Sequence, residues 1–433
     1  MNWTLPTYEP DYSQRFRPKN RITVRDFGPI RDSGVIEIKK VTVFLGNQGS
    51  GKSTLAKLIS TFLWMEKALV RGDYQKKWFE RKGRFRSQFL RYHRLENYIP
   101  KNSDIGHVEY RGDFFRFSFA GGSLSITSIT EKGEAPYILP QITYIPAERN
   151  LAAYMKNATR LKDASGAFIT FLGDFDAAKQ SMRGKEVLPV GNVTIEYDKL
   201  NDRLKLEGKG YGNRYKVFLH EAASGFQSMA PLYLVSQHFS SAVRFNNDNV
   251  TSEMSSDDIR RFKKSVSDIY DNTELTDEQR RFAVSALSRR FKKSAFINIV
   301  EEPEQNLFPS SQGKLLHHLL TFNNERPGNK LVITTHSPYL VNALTLAVQG
   351  AELRRKINQA RTDLLDRLNA VVPIEAVTPA SDVAVYQFDE SNGTVKPLPM
   401  PHGIPSDANY LNEALGESND AFGRLLDIEE ELG

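Results

Sequence analysis

Three glycines, a lysine and a serine in Gly46-Asn-Gln-Gly-Ser-Gly-Lys-Ser53 have the types and spacing to hold a polyphosphate. The pattern is GxxxxGK[ST]; it follows the apolar run Val41–Leu45 and opens a helical one, which is its required context. Glycines let backbone N–H groups curl around phosphate oxygens, and the helix N-terminus adds a favourable dipole. Lys52 has the reach for the β and γ oxygens, and the Ser53 hydroxyl for one position on Mg2+. Gly46, Asn47, Gln48, Gly49, Ser50, Gly51, Lys52, Ser53 and Thr54 are the expected nucleotide contacts.

A second chemical feature is Asn298-Ile-Val-Glu-Glu-Pro-Glu-Gln-Asn-Leu-Phe-Pro309, where an apolar run drives into two adjacent carboxylates. Aiming ionised carboxylates out of a buried strand is costly unless a metal, a partner charge or a ligand compensates. A phosphate loop supplies the compensation, since it needs a second strand delivering a carboxylate to the Mg2+ shell. Glu301 is expected to hold the metal or one of its waters, and Glu302 to orient or deprotonate the attacking water. Adjacent strand residues face opposite ways, but at a frayed carboxyl end both reach one ligand. Glu304 reads as a turn or interface residue.

His336 ends the run Leu331–Thr335 and precedes Ser337-Pro338. Beside a nucleotide it would donate to the γ-phosphate; taken alone, such a histidine is more often packed or at the surface. Ser224 and Gly225, in His220-Glu-Ala-Ala-Ser-Gly-Phe-Gln-Ser-Met229, precede an apolar helical run. They read as a second anion-binding helix N-terminus or as an ordinary capped helix. One loop already encloses the phosphates in its own protomer, so a second cradle has a natural use on the γ-phosphate of a symmetry mate.

These groups need elements to position them. Ile22–Val24, Val35–Ile38 and Val41–Leu45 read as strands, and Lys52 to about Leu69 as a helix with Leu55, Leu58, Ile59, Phe62 and Leu63 on one face. His107–Tyr110, Phe114–Phe119 and Leu124–Thr127 read as an antiparallel meander, Gln141–Ile145 as a strand, and 150–185 as mostly helical. Val193–Tyr197 with Leu204–Glu207 resembles a hairpin. Thr276-Asp-Glu-Gln279 has capping-box spacing. Phe296–Val300 and Leu331–Thr335, separated by a helix near Pro309–Phe322, give the cadence of a parallel α/β sheet. After about Leu346 a helix, a strand at Val383–Phe388 and a helical tail are expected.

The 433 residues, 40% hydrophobic and 25% charged, support a real core. Without cysteine there is no disulfide framework, thiolate zinc site or cysteine nucleophile. The first twenty residues, MNWTLPTYEPDYSQRFRPKN, are polar, and no uncharged apolar run nears roughly 18 residues, so no membrane partner and a cytoplasmic location are expected. The net charge of +6 is a weak pointer to nucleic acid. Its distribution says more. Lys67 to Lys101 is rich in Arg and Lys against only Asp73, Glu80 and Glu96, with Trp78, Phe79, Phe85, Phe89 and Tyr92 among them. That is either a phosphate-tracking surface with stacking platforms or a solvated face over core aromatics.

The order and spacing of these motifs across residues 21 to 346 resemble the ABC-type ATPases, specifically the soluble branch containing SMC proteins, OLD-like ATPases and bacterial phage-defence ATPases. GNQGSGKS looks like Walker A, IVEEPEQNLFP like Walker B and D-loop, EAASGFQS like the signature, and TTHSP like the switch histidine. Glu301 in place of aspartate, and Phe226 in place of the transporter signature's second glycine, look like the OLD-like branch. Tyr144-Ile-Pro-Ala-Glu-Arg149 resembles it too, which implies Arg149 near the site; Gln141 is the implied Q-loop glutamine, and Gln227 joins the signature contacts. The resemblance implies an α/β P-loop NTPase: an ABC-ATPase-type head with a mixed sheet, an antiparallel β subdomain and helical insertions. It also implies ATP and Mg2+ as cofactors and a two-fold homodimer, or a larger assembly, sandwiching ATP. Residues 1–20 would be an extension and 21–433 one head. A basic insertion at about 65–105, a helical signature subdomain at about 150–295 and a C-terminal segment at about 347–433 would belong to that head.

For the output, neither a transporter-type signature nor a zinc-hook motif is present. The interval from Ser53 to Ser224 is too short for SMC-type arms, and no convincing nuclease cluster follows His336. The chain then resembles the ATPase of two-part phage-defence systems such as PARIS or Septu, controlling a separately encoded effector. The alternatives are a repair or chromosome-maintenance ATPase clamping DNA with the basic insertion plus Arg260, Arg261, Lys263, Lys264, Arg289, Arg290, Lys292 and Lys293, and a scaffold that rarely turns ATP over.

Overall fold

Uninterrupted apolar runs become central strands, because a strand covered on both faces has no polar side to show. Val41–Leu45 and Ala295–Glu301 are buried at every position, and Lys330–Thr335 at all but its first. The computed structural model describes residues 20–99, 106–129, 137–155, 164–210, 212–245, 256–271, 280, 283, 284, 287, 294–358 and 360–432. Its strands are β1 (Arg21–Phe27), β2 (Ile30–Glu37), β3 (Val41–Leu45), β4 (His107–Arg111), β5 (Phe115–Ala120), β6 (Ser123–Ser128), β7 (Pro140–Ile145), β8 (Lys185–Val187), β9 (Thr194–Asp198), β10 (Arg203–Lys209), β11 (Arg214–Phe218), β12 (Ala295–Glu301), β13 (Lys330–Thr335), β14 (Val383–Asp389) and β15 (Thr394–Pro397). Its helices are α1 (Lys52–Arg71), α2 (Lys76–Phe79), α3 (Gly166–Ser181), α4 (Ser224–Phe245), α5 (Ser256–Asp271), α6 (Pro309–Asn324), α7 (Pro338–Lys356), α8 (Thr362–Val371) and α9 (Tyr410–Leu432).

One 11-stranded sheet runs β6-β5-β4-β1-β2-β15-β14-β3-β13-β12-β7. The neighbours β14, β3, β13, β12 and β7 are parallel. β15 hairpins onto β14 and touches β2 through Thr394 and Asp32. Beyond it β2, β1, β4, β5 and β6 are antiparallel. The expected meander is therefore continuous with the parallel sheet. One face packs on α1 and the aromatic insertion; the other packs on α3, α4, α6 and α7. Both faces being covered is what a parallel sheet requires.

The structure departs from the sequence reading in three places. The segment at about 150–295, expected to be helical, contains an antiparallel sheet of four strands, β11-β10-β9-β8, of which only β9 and β10 were anticipated. β8 has only three residues and β11 no fully buried position, so neither shows the alternation that marks a strand. The helix expected after Leu346 is α8, but α7, which precedes it from Pro338 with proline at the first helical position, where its missing N–H costs nothing, was not anticipated. β15 was not anticipated either. The capping box at Thr276–Gln279 lies outside the described residues.

α1 ends as a helix should. Gly72, at φ 78°, donates to Leu69 O, and Asp73 N donates to Ala68 O at 2.9 Å, a Schellman closure. Its Glu66 is buried against the β4–β5 turn, accepting from Phe114 N at 2.8 Å and Phe115 N at 3.2 Å. Burial nevertheless pushes this carboxyl from 4.5 up to about 8. The folded chain keeps a proton there that the unfolded chain has lost, so stability falls as pH rises through that window. The slope from this group is about 1.4 kcal/mol per pH unit. Glu66→Gln is expected to remove that slope in denaturant titrations run at the two ends of the window.

Candidate functional site

The strand register brings the chemical residues to one edge of the sheet. Leu45 is level with Thr335 and with Gln387, Glu301 with Thr334, and Val300 with Ile145. The loops leaving β3, β12, β13, β14 and β7 therefore share the carboxyl edge, the place where open α/β sheets bind ligands.

The Gly46–Thr54 loop is held tightly from outside. A Cβ on Gly46 would lie 2.8 Å from Phe388 O, and one on Gly51, at φ 103°, would lie 2.6 Å from Ile30 Cγ1. Both positions demand glycine. Asn47, Gln48 and Gly49 form an exposed rim, while Ser50, Lys52 and Thr54 are buried and Ser53 is half-buried. Lys52 Nζ donates to Gly46 O at 2.7 Å and Asn47 O at 2.6 Å. Burial lowers its pKa, opposed by Glu302, Glu304, Glu390 and Glu301 in that order. Glu390, unmarked in the sequence, accepts from Asn47 Nδ2 at 2.9 Å and ties the loop after β14 to the phosphate loop.

Glu301 is 2% exposed. Its Oε2 accepts from Ala147 N at 3.2 Å; its Oε1 has no hydrogen-bond partner and lies 3.9 Å from Lys57 Nζ. A buried carboxylate oxygen without a hydrogen-bond donor fits a hard cation, and the half-buried Ser53 hydroxyl is the oxygen the loop offers. Glu302 sits at φ 43°, a left-handed conformation that costs a non-glycine residue. Its N–H donates to Thr334 O at 2.9 Å, and its Oε1 lies 3.7 Å from His336 Nδ1.

Glu304 stands in the turn that follows Glu302, as expected, with its side chain buried beneath His336. Its Oε1 accepts from Thr335 Oγ1 and from His336 N, both at 2.8 Å, and lies 3.3 Å from His336 Nδ1. Burial pushes its pKa up, opposed by these donors. The only sequence cue was a third glutamate following the pair, which does not say whether it turns in or out. His336 itself is part-exposed, between the two carboxylates.

Ser224 and Gly225 form the first turn of α4, with Ser224 exposed. A Cβ on Gly225 would meet Asn306 O at 2.8 Å, and Ser228 Oγ donates to Gln305 Oε1 at 3.1 Å. The helix is thereby seated on the turn that follows Glu302. Phe226 packs against the Gly191 turn of the four-stranded sheet, and β11 leads through Leu219–Glu221 into the same segment.

Three further expected contacts are buried. Gln141 pairs with Phe296 near the amino end of β7, opposite the carboxyl edge, and is fully buried. Gln227 is consumed locally, its Nε2 donating to His220 O and Ala222 O and its Oε1 accepting from Tyr154. Arg149 is 0% exposed and donates to four backbone carbonyls. Arg149 thus stands beside the site, with its donors used on the backbone of Glu301 and Glu302.

The basic insertion follows the core alternative. Phe79 and Phe85 are buried, Trp78 and Phe89 pack partly buried against the same cluster, and Tyr74 stacks on Trp78 at 4.1 Å. Arg84 lies 4.2 Å over Trp78 and Arg261 4.7 Å over Trp64. Tyr92 is the exception: it is exposed and, with Trp78 and Phe89, lines a cavity of about 300 Å³. Arg289, Arg290, Lys292 and Lys293 lie outside the described residues, and among the described residues no helix is long and apolar enough to cross a membrane.

No curated protein matches the chain. Among solved structures, the SMC head domain from Thermotoga maritima aligns at 12% identity and TM-score 0.34, covering 89% of this chain and 100% of that one. The recombination mediator RecF with ATPγS aligns at 12% and 0.30, covering 88% and 99%. An ATP-binding cassette of an ABC transporter in its ADP conformation aligns at 13% and 0.26, covering 88% and 90%. Assignment rests on the strand order above and on a family model that matches residues 41–342. The fold is that of a mixed α/β P-loop ATPase head, and the chain belongs to the family described as AAA domain, putative AbiEii toxin, Type IV TA system.

Proposed function

We propose that the chain binds and hydrolyses ATP between two copies of itself, and that closing and opening of this pair is its output. One observation carries the reading. Lys52, Glu301, Glu302 and His336 converge on one sheet edge, while Ser224 of the same chain stands exposed beyond the 302–307 turn. A helix N-terminus with that exposure suits a ligand held by a second copy.

The amides of Gly46–Thr54 and the Lys52 ammonium hold the phosphates. Ser53 and Glu301 would hold Mg2+, which when bound neutralises charge building on the β and γ oxygens. Glu302 accepts the proton of the attacking water as its oxygen bonds to γ-phosphorus and the ADP oxygen departs. Glu304 holds the His336 backbone so that its imidazole faces the γ-phosphate side. Lys52→Ala is expected to raise the dissociation constant for ATP by about 10- to 100-fold, the scale of charge-assisted hydrogen bonds. Titration with a fluorescent ATP analogue tests this; unchanged affinity would place the phosphates elsewhere.

For the biological output, the reading we favour is the sensor or scaffold ATPase of a two-part anti-phage system with a separate effector nuclease or toxin. The family's description, naming a toxin of a toxin–antitoxin system, supports a two-gene arrangement. Retention of a co-expressed neighbouring gene product without DNA is the expected result. Salt-sensitive stimulation of the ATPase by duplex DNA would favour the clamp instead. Phe79 and Phe85 of the insertion belong to the core, which leaves that alternative fewer aromatics to stack on bases.

A further inference from the structure

Among the described residues Arg149 is the largest side chain that is wholly buried. Its Nε donates to Ser228 O at 3.1 Å, its Nη1 to Glu301 O at 2.6 Å and Pro146 O at 3.3 Å, and its Nη2 to Glu302 O at 2.6 Å. One guanidinium thus spans three segments: the end of β12, the loop after β7, and the first turns of α4. Burial lowers its pKa to about 10, leaving it charged at neutral pH. A buried cation that spends its donors on carbonyl oxygens is an unusual investment, since Met or Leu would fill the space without the desolvation cost.

What it secures is a peptide in need of support. Glu302 holds a left-handed backbone at φ 43°, and such conformations persist only where surroundings over-determine them. Arg149 grips the carbonyl of Glu302 while Thr334 O takes its N–H. The same guanidinium grips α4, whose Gly225 and Ser228 also rest on Asn306 and Gln305. Displacing α4 along its axis therefore strains the Glu302 peptide directly.

We infer that Arg149 is a positioning residue that ties the direction of the Glu302 carboxylate to the seating of α4, so that what docks on the α4 N-terminus sets hydrolysis in the same chain's site. The part concerning docking rests on the paired reading above; the link from Arg149 to Glu302 does not. Lysine at this position keeps the charge but cannot span three segments, because it lacks the planar fork.

The test uses Arg149→Lys in the full chain, with kcat, KM and the dissociation constant for ATP measured separately. The expected result is ATP affinity within about threefold of the unsubstituted chain and kcat lower by about 100-fold, the scale of a 1 Å misplacement. Amide exchange should rise together in residues 302–306 and in the first turn of α4. Arg149→Gln, which retains one donor pair, covers the case in which lysine does not fold. An unchanged kcat in a folded variant overturns the inference, as does a loss of affinity that matches the loss of kcat, since that would make Arg149 a nucleotide contact. Failure of the paired reading shows elsewhere, as an unsubstituted chain whose mass does not change with ATP.

Discussion

Glu302→Gln is expected to bind ATP as the unsubstituted chain does while hydrolysing it about 10²- to 10⁴-fold more slowly, the contribution of a positioned general base. The substitution is nearly isosteric. The contacts that fix residue 302, Arg149 Nη2 to its carbonyl and its N–H to Thr334 O, involve no side-chain atom of residue 302 and survive. What is removed is a basic oxygen at the site edge. Glu301, 2% exposed, does not substitute, because one carboxylate oxygen accepts from Ala147 N and the other is the one assigned above to Mg2+. With ATP and Mg2+ present, the slow variant should accumulate as a species of twice the mass of one chain, stable to gel filtration. Turnover within a few-fold of the unsubstituted chain would remove Glu302 from the role of base.

The parts of this site that were legible in the sequence are those whose chemistry is local. The phosphate loop needs two glycines, a lysine and a hydroxyl within eight residues, and Gly46 and Gly51 are confined in space as that pattern implies. The apolar strands β3, β12 and β13 announce themselves by having no polar face. Contacts made across the chain were not legible. Glu390 reaches Asn47 from the far side of β14, and Glu304 turns under His336 because Thr335 Oγ1 and a backbone N–H wait there. Gln141 misled for a related reason: a glutamine in a strand before a suspected site names no end of the strand, and the register puts it at the amino end. Arg149 lay in a segment that pointed to the site, yet its donors turn to backbone carbonyls, which leave no mark on a sequence.

Ser224→Arg should leave ATP affinity per chain unchanged and abolish ATP-dependent pairing, with hydrolysis falling by a factor like that of Glu302→Gln. Ser224 is exposed in the first turn of α4, so a large side chain there costs the fold little. It does obstruct the helix N-terminus, and a cation at that end opposes the helix dipole. The decisive measurement mixes the two inactive chains. If each site joins the phosphate loop of one copy to the α4 N-terminus of the other, a mixed pair contains one site built from the Ser224→Arg chain's intact Glu302 and the Glu302→Gln chain's intact Ser224. That site has every required group, and the mixture should recover turnover that neither chain shows alone. Sites complete within a single chain would recover nothing on mixing.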